Sequence, residues 1–517
     1  MFAKYIFLFF IKNGRFVKTT LGMTTQTEKA RLIFGLKIKQ LRIEKGMSTY
    51  FLAEKTGLSP SYINEIEKGK KYPKTERIFT IAEALNTDYD TLVSLKLNKK
   101  LEPIANLLNS NILSDLPLDV FGISAMSLLE LMASAPAKLS AFINTIIQIG
   151  RNYDMTVSEF YFSVIRTYQE IHDNYFVDLE FEATKFICSH QLPKSPDACL
   201  KWCIGYVTEN YGYNVQYYDG VSKPAIGNLR SVFVKESKII WLNKTLSVVQ
   251  QVFTLAREIG YQELKITNRP FESSVIEPKS FEEVLNNFKA SYFAGAILIP
   301  EKQIITELSV IFEANSWSDR DFLKILSRFP VTSEVFFQRI TNVLTSHFEL
   351  NQLFFIRFNH HTKTDRFLIT KEMHLNKLHN PHATALDEHY CRRWVSVKIL
   401  KELEEKQNKN IANNETICNT QISEYVGSKN QYFVISLAKS SPSHFQNSSI
   451  NLGFRINTKL KNTFKFLSDP NLSQKVVSET CQRCSLPDCA ERAAPPIILD
   501  KQIEKQNLKD AVKAMMK

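Results

Sequence analysis

Three glycines divide residues 34–95 into short helical patterns, and that division constrains the fold more than any other feature of the chain. Phe34, Ile38 and Leu41 recur at helical spacing with basic residues between them, and the pattern stops at Gly46. Ser48 is placed to cap a second helix carrying Phe51, Leu52 and Ala53, which stops at Gly57. Ser59 then caps a third helix with Pro60 in its first turn, where a missing N–H costs little. Ile63 and Ile66 face inward, Gly69 ends the helix, and Lys70, Lys71 and Pro73 follow. A fourth helix over Thr75–Leu85 puts Ile78, Ile81, Ala82 and Leu85 on one face, and a fifth short pattern completes the bundle by residue 95.

Charge singles out the same region. The 517 residues carry a net charge of +12, yet residues 1–100 hold 19 Lys/Arg against 9 Asp/Glu, and the remainder holds 46 against 44. Such a distribution suits a small polyanion-binding module on a nearly neutral body. Hydrophobic residues at 44% and charged residues at 23% exclude a disordered, collagen-like or multi-span membrane chain.

Two short helices joined by Gly57-Leu58-Ser59 make a helix-turn-helix. In such a pair the second helix enters the major groove with its N-terminal residues at base edges. Those residues are Ser59, Ser61, Tyr62, Asn64 and Glu65 here, while Lys68, Lys70 and Lys71 lie near phosphates. The stretch LRIEKGMSTYFLAEKTGLSPSYINEIEKGKKYP resembles the XRE (lambda repressor/Cro-like) DNA-binding domain. The resemblance implies an ion pair between Arg42 and Glu67. It also implies a DNA contact at the start of the second helix, where Thr49 replaces the family's frequent Gln.

Ahead of this module, Tyr5–Ile11 is apolar but too short to span a bilayer, and no signal-peptide cleavage pattern follows it. Two readings stand for the start: an N-terminal extension over 1–28, or translation from Met23. The protein reads as cytoplasmic. Behind the module, residues 98–180 read as apolar helices, among them 141–149 and 153–172, forming a linker or dimerisation region.

Residues 181–330 run helix, strands (231–234 and 238–242), then helices over 248–264 and 281–298. This order, with FTLAREIGYQ followed by FKASYFAGAILIP, resembles the ImmA/IrrE metallopeptidase-like domain. That family carries a zinc-binding H-E-x-x-H, whose two His sit one helical turn apart and whose Glu activates water. Here Arg257 and Tyr261 occupy the His positions, Lys289 aligns with the third, acidic ligand, and only Glu258 remains. Cations repel zinc, so the resemblance implies a degenerate, non-enzymatic domain with no metal at this motif. Arg257 is then expected to pair with Glu258 or another acid.

Residues 331–500 alternate helix and strand. Helix 333–350 and strands at 352–358, 432–437 and 450–456 are expected, with a polar loop over 405–420. Seven of ten histidines fall between His347 and His389, with His360-His361 read as a turn of exposed side chains. Eight cysteines are too few for a disulfide scaffold. Cys481, Cys484 and Cys489, spaced C-x2-C-x4-C, suggest a knuckle binding zinc or an iron–sulfur cluster, with Cys391 as the fourth ligand and His389 second choice. The alternative is reduced, unliganded thiols.

Taken with the two domains, HYCRRW and CQRCSLPDCAERAAPP resemble the short-chain fatty-acyl transcriptional regulator family, the architecture of RamB- and PrpR-type regulators. This resemblance, over about residues 30–500, implies a DNA-binding regulator responding to acyl-CoA or CoA. Arg357, Arg366, Arg392 and Arg393 are phosphate candidates by charge alone. The fold expected is mainly α with α+β parts: a helix-turn-helix bundle (29–97), a helical middle, a degenerate zincin-like α+β domain (181–330), an α+β C-terminal domain with a cysteine knuckle (331–500), and a tail (501–517). Partners are double-stranded DNA and a second copy of the chain. Rival readings are a metallopeptidase-type regulator cleaving a partner repressor, and a constitutive DNA-binding scaffold without ligand.

Overall fold

A computed structural model of the protein describes residues 26–94 and 156–516, apart from 223, 228, 272–277, 279, 376–387, 410–415, 429 and 440–445. Most of the extension expected at 1–28 and of the helical region at 98–180 lies outside the described residues, including the segment 141–149. The chain divides into two compact units, 1–157 and 158–517.

In the first unit the five short helices form where the glycines and caps place them: α1 Gln26–Glu44, α2 Thr49–Thr56, α3 Pro60–Glu67, α4 Thr75–Ala84 and α5 Tyr89–Val93. Gly46, Gly57 and Gly69 all take positive φ, the left-handed conformation that ends a helix without a Cβ clash. Phe34, Ile38, Leu52, Ile63, Ile66, Ile78, Ile81 and Leu85 fill one core. Gly35 lets α1 approach α3 closely, because a Cβ there would strike the backbone carbonyl of Ile66. One ion pair closes this contact. Arg42 Nε donates to Glu67 Oε1 at 2.6 Å and Nη2 to Oε2 at 2.9 Å, while Nη1 donates to the Met47 carbonyl at 2.8 Å. A bidentate pair this far from water is geometrically specific and costly to half-remove.

The second unit begins with helices α6 Val157–Ile171, α7 Val177–Ser189 and α8 Pro196–Tyr211. A small sheet follows, built from β1 Asn214–Tyr218, β2 Ser231–Val234 and β3 Ile239–Asn243 in the order β1-β3-β2. β1 runs parallel to β3, and β2 antiparallel. Five helices come next: α9 Val248–Glu263, α10 Phe281–Leu298, α11 Glu301–Glu313, α12 Asp319–Ser327 and α13 Ser333–His347. A buried pair ties three of these helices together, with Arg339 Nη2 donating to Glu180 Oε2 at 2.9 Å and Tyr292 Oη to Glu180 Oε1 at 2.6 Å.

The larger sheet contains β4 Leu353–His361, β5 Arg366–His374, β6 Ile417–Tyr425, β7 Gln431–Lys439, β8 Gln446–Arg455 and β9 Gln474–Val477, in the order β5-β4-β8-β7-β6-β9. Only the β6–β9 pairing is parallel. The central strands β4 and β7 are apolar on both faces because both are covered. Leu353, Phe355, Phe433, Ile435, Leu452 and Phe454 join the core shared with α9–α13. Phe354, Ile356, Phe358, Tyr432 and Val434 pack with Trp394, Ile399, Leu400 and Leu403 around α14, Val395–Asn408. Gly453 stands opposite Phe354 in register and leaves room for its ring.

Three local expectations change. His360 and His361 end β4 rather than forming a turn, and His360 is wholly buried, stacked on Phe367 at 4.2 Å with Nε2 3.0 Å from Asp365 Oδ1. Strand pairing with β5 and β8 claims these residues, which a local turn reading does not see. Of the polar stretch 405–420, residues 405–408 end α14 and 417–420 start β6, while 410–415 lie outside the described residues. Much of the tail expected at 501–517 lies in a helix, α16 Ile497–Met515, which follows a short α15, Thr458–Thr463; no residue of α16 is buried.

The Arg42–Glu67 pair yields a direct test. Glu67→Ala should destabilise the first unit by about 3 kcal/mol, since it strands a half-buried guanidinium. Hydrogen exchange at residues 26–94 in the full chain reads the change, and a loss under about 0.5 kcal/mol would mean that the pair behaves as an exposed one.

Candidate functional site

The outer surface of α2 and α3 is the first site. Ser48 Oγ accepts from Phe51 N at 3.0 Å and Ser59 Oγ from Tyr62 N at 3.1 Å, so both helices start where the sequence caps them. Ser59, Ser61, Asn64, Lys70 and Lys71 are exposed, and Thr49, Tyr62 and Lys68 are half-buried. Two side chains that sequence reasoning passed over join this face. Tyr50, beside Thr49, is 77% exposed. Arg77 from α4 lies 5.3 Å from the centroid of the Tyr62 ring, a cation–π contact that fixes the ring's direction.

The second site is the degenerate motif on α9. Arg257, Glu258 and Tyr261 are all buried. Arg257 does not pair with Glu258, because consecutive residues on a helix do not face each other. Glu258 Oε2 accepts instead from Arg269 Nη2 at 2.6 Å. Arg269 also lies 4.0 Å from the Tyr261 ring centroid and 4.5 Å from that of Phe233, so one guanidinium serves a carboxylate and two aromatic faces. Tyr261 Oη donates to Asn287 Oδ1 at 2.9 Å, and Arg257 Nη1 reaches the same oxygen at 3.5 Å. Burial pushes the Tyr261 phenol up to about 12, so it stays protonated and donating at neutral pH. On α10, therefore, the residue that meets the motif is Asn287 rather than Lys289. A two-residue step turns a helix by about 200°, which places Lys289 on another side.

Next to it lies a charged cluster at the start of α13. Glu334 Oε2 accepts from Arg357 Nη1 of β4 at 3.0 Å, and Glu334 Oε1 pairs with Lys371 of β5. Burial works to raise the Glu334 carboxyl, but Lys371, Arg357 and Arg230 together hold it down to about 2.

The cysteines form a third site. All eight cysteines are free thiols. Cys391, Cys481, Cys484 and Cys489, far apart in sequence, line one small cavity with Arg392, Arg393 and Arg492. A bridge between Tyr390 and Thr480 brings the two segments together, and Arg483 Nη2 donates to Glu388 Oε1 at 2.6 Å beside it. Arg492 Nη1 donates to the Cys481 carbonyl at 3.1 Å, which folds the C-terminal turn over the thiols. Burial pushes the Cys391 thiol up to about 11. His389 is occupied elsewhere, its Nδ1 3.0 Å from Gln482 Nε2, and it does not line the cavity. Among the described residues no three His, Cys, Asp or Glu side chains already stand in a metal-holding array. The number of thiols, their common cavity and their cationic surround nonetheless fit a tetrathiolate-held group, whose charge is negative.

Of the other histidines, His347 Nε2 lies 2.6 Å from Glu301 Oε1, and His379 and His382 lie outside the described residues. Arg366 is exposed at the start of β5. No helix among the described residues is long and apolar enough to cross a membrane.

Comparison with known proteins matches two of these regions. Residues 38–92 match the helix-turn-helix family, and residues 216–341 match the IrrE N-terminal-like domain of the peptidase M78 family. Over 57 residues the chain is 37% identical to the HTH-type transcriptional regulator SutR of Escherichia coli (strain K12). That stretch is 11% of this chain and 32% of SutR, so the chain spans about a third of the curated relative's length. A solved Mycobacterium tuberculosis transcriptional regulator aligns over 65% of this chain and 94% of its own, at 15% identity and a TM-score of 0.44.

The Glu334 cluster predicts a pH dependence. A carboxyl held below its ordinary value stabilises the fold above that value and loses the contribution as pH falls toward its folded value. Glu334→Gln should therefore lower the melting temperature at pH 7, with the gap to wild type narrowing as pH falls from about 4.5 to about 2. A gap independent of pH would show that Glu334 acts through packing alone.

Proposed function

We propose that the protein is a sequence-specific, XRE-type DNA-binding transcriptional regulator without enzymatic activity. The observation that carries this reading is the α2–turn–α3 unit. Gly57 at φ 65° turns the chain, and Ser59 caps α3 so that its polar N-terminal residues face outward, next to exposed lysines. Ser59, Ser61, Tyr62 and Asn64 would read base edges, and Thr49, Lys68, Lys70 and Lys71 would meet the backbone. The 37% identity over 57 residues to a curated HTH-type regulator supports it. Two half-sites one helical turn apart call for two recognition helices, hence a homodimer.

The unit at 158–517 is the sensing body in this proposal. Its resemblance to short-chain fatty-acyl regulators points to a short-chain acyl-CoA or CoA as the metabolite. The cavity formed by Cys391, Cys481, Cys484 and Cys489 would hold zinc or an iron–sulfur cluster, which would cross-link residues 388–394 to the turn at 481–492. Either group needs thiolates, and its binding energy would offset the burial that favours the protonated Cys391.

The IrrE-like match keeps a second reading in view, a peptidase that cleaves a partner repressor. Its chemistry needs two neutral imidazoles on α9. A guanidinium at position 257 repels the ion, and the phenol at 261 stays protonated at neutral pH. Glu258 is committed to Arg269 rather than to a water.

Two measurements check this account. Lys70→Ala with Lys71→Ala should weaken binding to every DNA sequence and reduce the salt slope by about 2, whereas a change confined to one operator would contradict phosphate contacts. Elemental analysis of anaerobically purified protein should find zinc, or iron with labile sulfide, and Cys481→Ser should lose it. Equal metal in both proteins would contradict the cysteine site.

A further inference from the structure

Among the residues of α3 assigned to base edges, Tyr62 has the longest side chain. The tips of Ser59, Ser61 and Asn64 stay close to the helix backbone, whereas a tyrosine ring reaches further and can swing about its side-chain torsions. A swinging ring must be immobilised when DNA docks, which costs free energy and blurs which base it meets. Two contacts limit that freedom here. The ring is half-buried and packs against the core of the first unit. From α4, Arg77 brings its guanidinium over the ring, 5.3 Å from the centroid.

Arg77 itself is rigidly mounted and otherwise free. Its backbone N donates to the Lys74 carbonyl at 2.9 Å, and the next residue, Ile78, is buried in the core. Its side chain is exposed and has no carboxylate partner among the described residues. Arg42 in the same unit shows what a structural arginine looks like, with its fork closed on Glu67. The phenol oxygen of Tyr62 likewise has no hydrogen-bond partner among the described residues, so it can donate to or accept from a base edge while the ring's rim meets a thymine methyl. A cation over an exposed ring is held weakly in water and more strongly once water is removed. DNA docking removes that water and places phosphates, which attract the same guanidinium, close by.

We propose that Arg77 is a positioning residue for sequence recognition. It holds the Tyr62 ring in one direction, and Tyr62 held this way sets the base preference at one position of each half-site. The inference rests on reading α2 and α3 as the DNA-binding face, and it adds a specificity determinant on α4, outside the helix-turn-helix.

The test begins with duplexes selected from a random library by the full-length wild-type protein. Fluorescence anisotropy then measures affinity for the selected operator and for a scrambled duplex at one salt concentration. Arg77→Met should lower the ratio of the two affinities about fivefold, and Arg77→Lys, which keeps the cation, should lower it less. Tyr62→Leu keeps apolar packing but removes the ring, and should lower the ratio as well. Adding Arg77→Met to Tyr62→Leu should then change it by less than about twofold, because the two residues act as one unit. Selection repeated with Arg77→Met should relax the same base position that Tyr62→Leu relaxes. A phosphate contact would instead weaken both duplexes equally. An unchanged ratio, a full further loss in the Tyr62→Leu background, or relaxation at a different position would overturn the proposal. So would reduced hydrogen-exchange protection across residues 26–94 in Arg77→Met, which would mark the arginine as structural. A wild-type protein that selects no sequence would sink the sequence-specific regulator reading and this inference with it, whereas the other contrary results leave that reading intact.

Discussion

Helices α9 and α10 approach so closely at Gly260 that a Cβ there would lie 2.9 Å from the Ala290 carbonyl, and the body of the protein depends on that contact. Leu255, Ala256, Ile259, Phe293 and Ala294 are sealed beneath it without solvent exposure. The same contact carries Arg257, Glu258 and Tyr261 into the interior, where charge must be matched locally. The metallopeptidase solution to this geometry is a metal ion. In this chain Arg269 donates to Glu258, and the neutral amide oxygen of Asn287 accepts from Tyr261 and Arg257. A match to the IrrE-like fold therefore does not by itself carry the peptidase chemistry.

The core around α9 and α10 does not stop where the IrrE-like match ends. α13 starts within the matched region and packs against β4 and β8 of the larger sheet, and one apolar cluster runs from Ala183 to Leu472. Glu334 at the start of α13 is therefore a natural meeting point for cations from both sides. On the far face of the sheet, α14 leads back to Cys391, whose segment is bridged to Thr480. The Glu334 ion pairs and the thiol-lined cavity thus lie on opposite sides of a single sheet.

What could be read from the sequence follows the range of the forces involved. Ser48, Gly57, Ser59 and Pro60 act on their immediate neighbours, so α2, the turn and α3 were legible residue by residue. The Arg42–Glu67 pair spans 25 positions and was reached through the XRE resemblance rather than through periodicity. Helices α9 and α10 also emerged with their bounds nearly intact, because their apolar patterns are long. The partners of the buried charges did not. Arg269 lies in a loop, Arg230 before a short strand, and Asn287 two residues from the position that alignment favoured. Each is defined only by three-dimensional packing. His360 shows the same limit, since its burial depends on strands β5 and β8 pairing on either side. Cys391 was expected as a fourth ligand because thiols at 481, 484 and 489 needed one, and it lines the same cavity as they do.

The proposed account joins a basic, DNA-binding module to a body whose α9 motif carries Arg257 and Tyr261 where metal-binding histidines were looked for. An anomalous-scattering map at the zinc edge, from crystals of the full-length protein grown with excess zinc, tests that substitution most directly because it locates metal residue by residue. The account predicts no peak among Arg257, Tyr261 and Asn287, whatever is found at the cysteines. A zinc peak bound between α9 and α10 would contradict it.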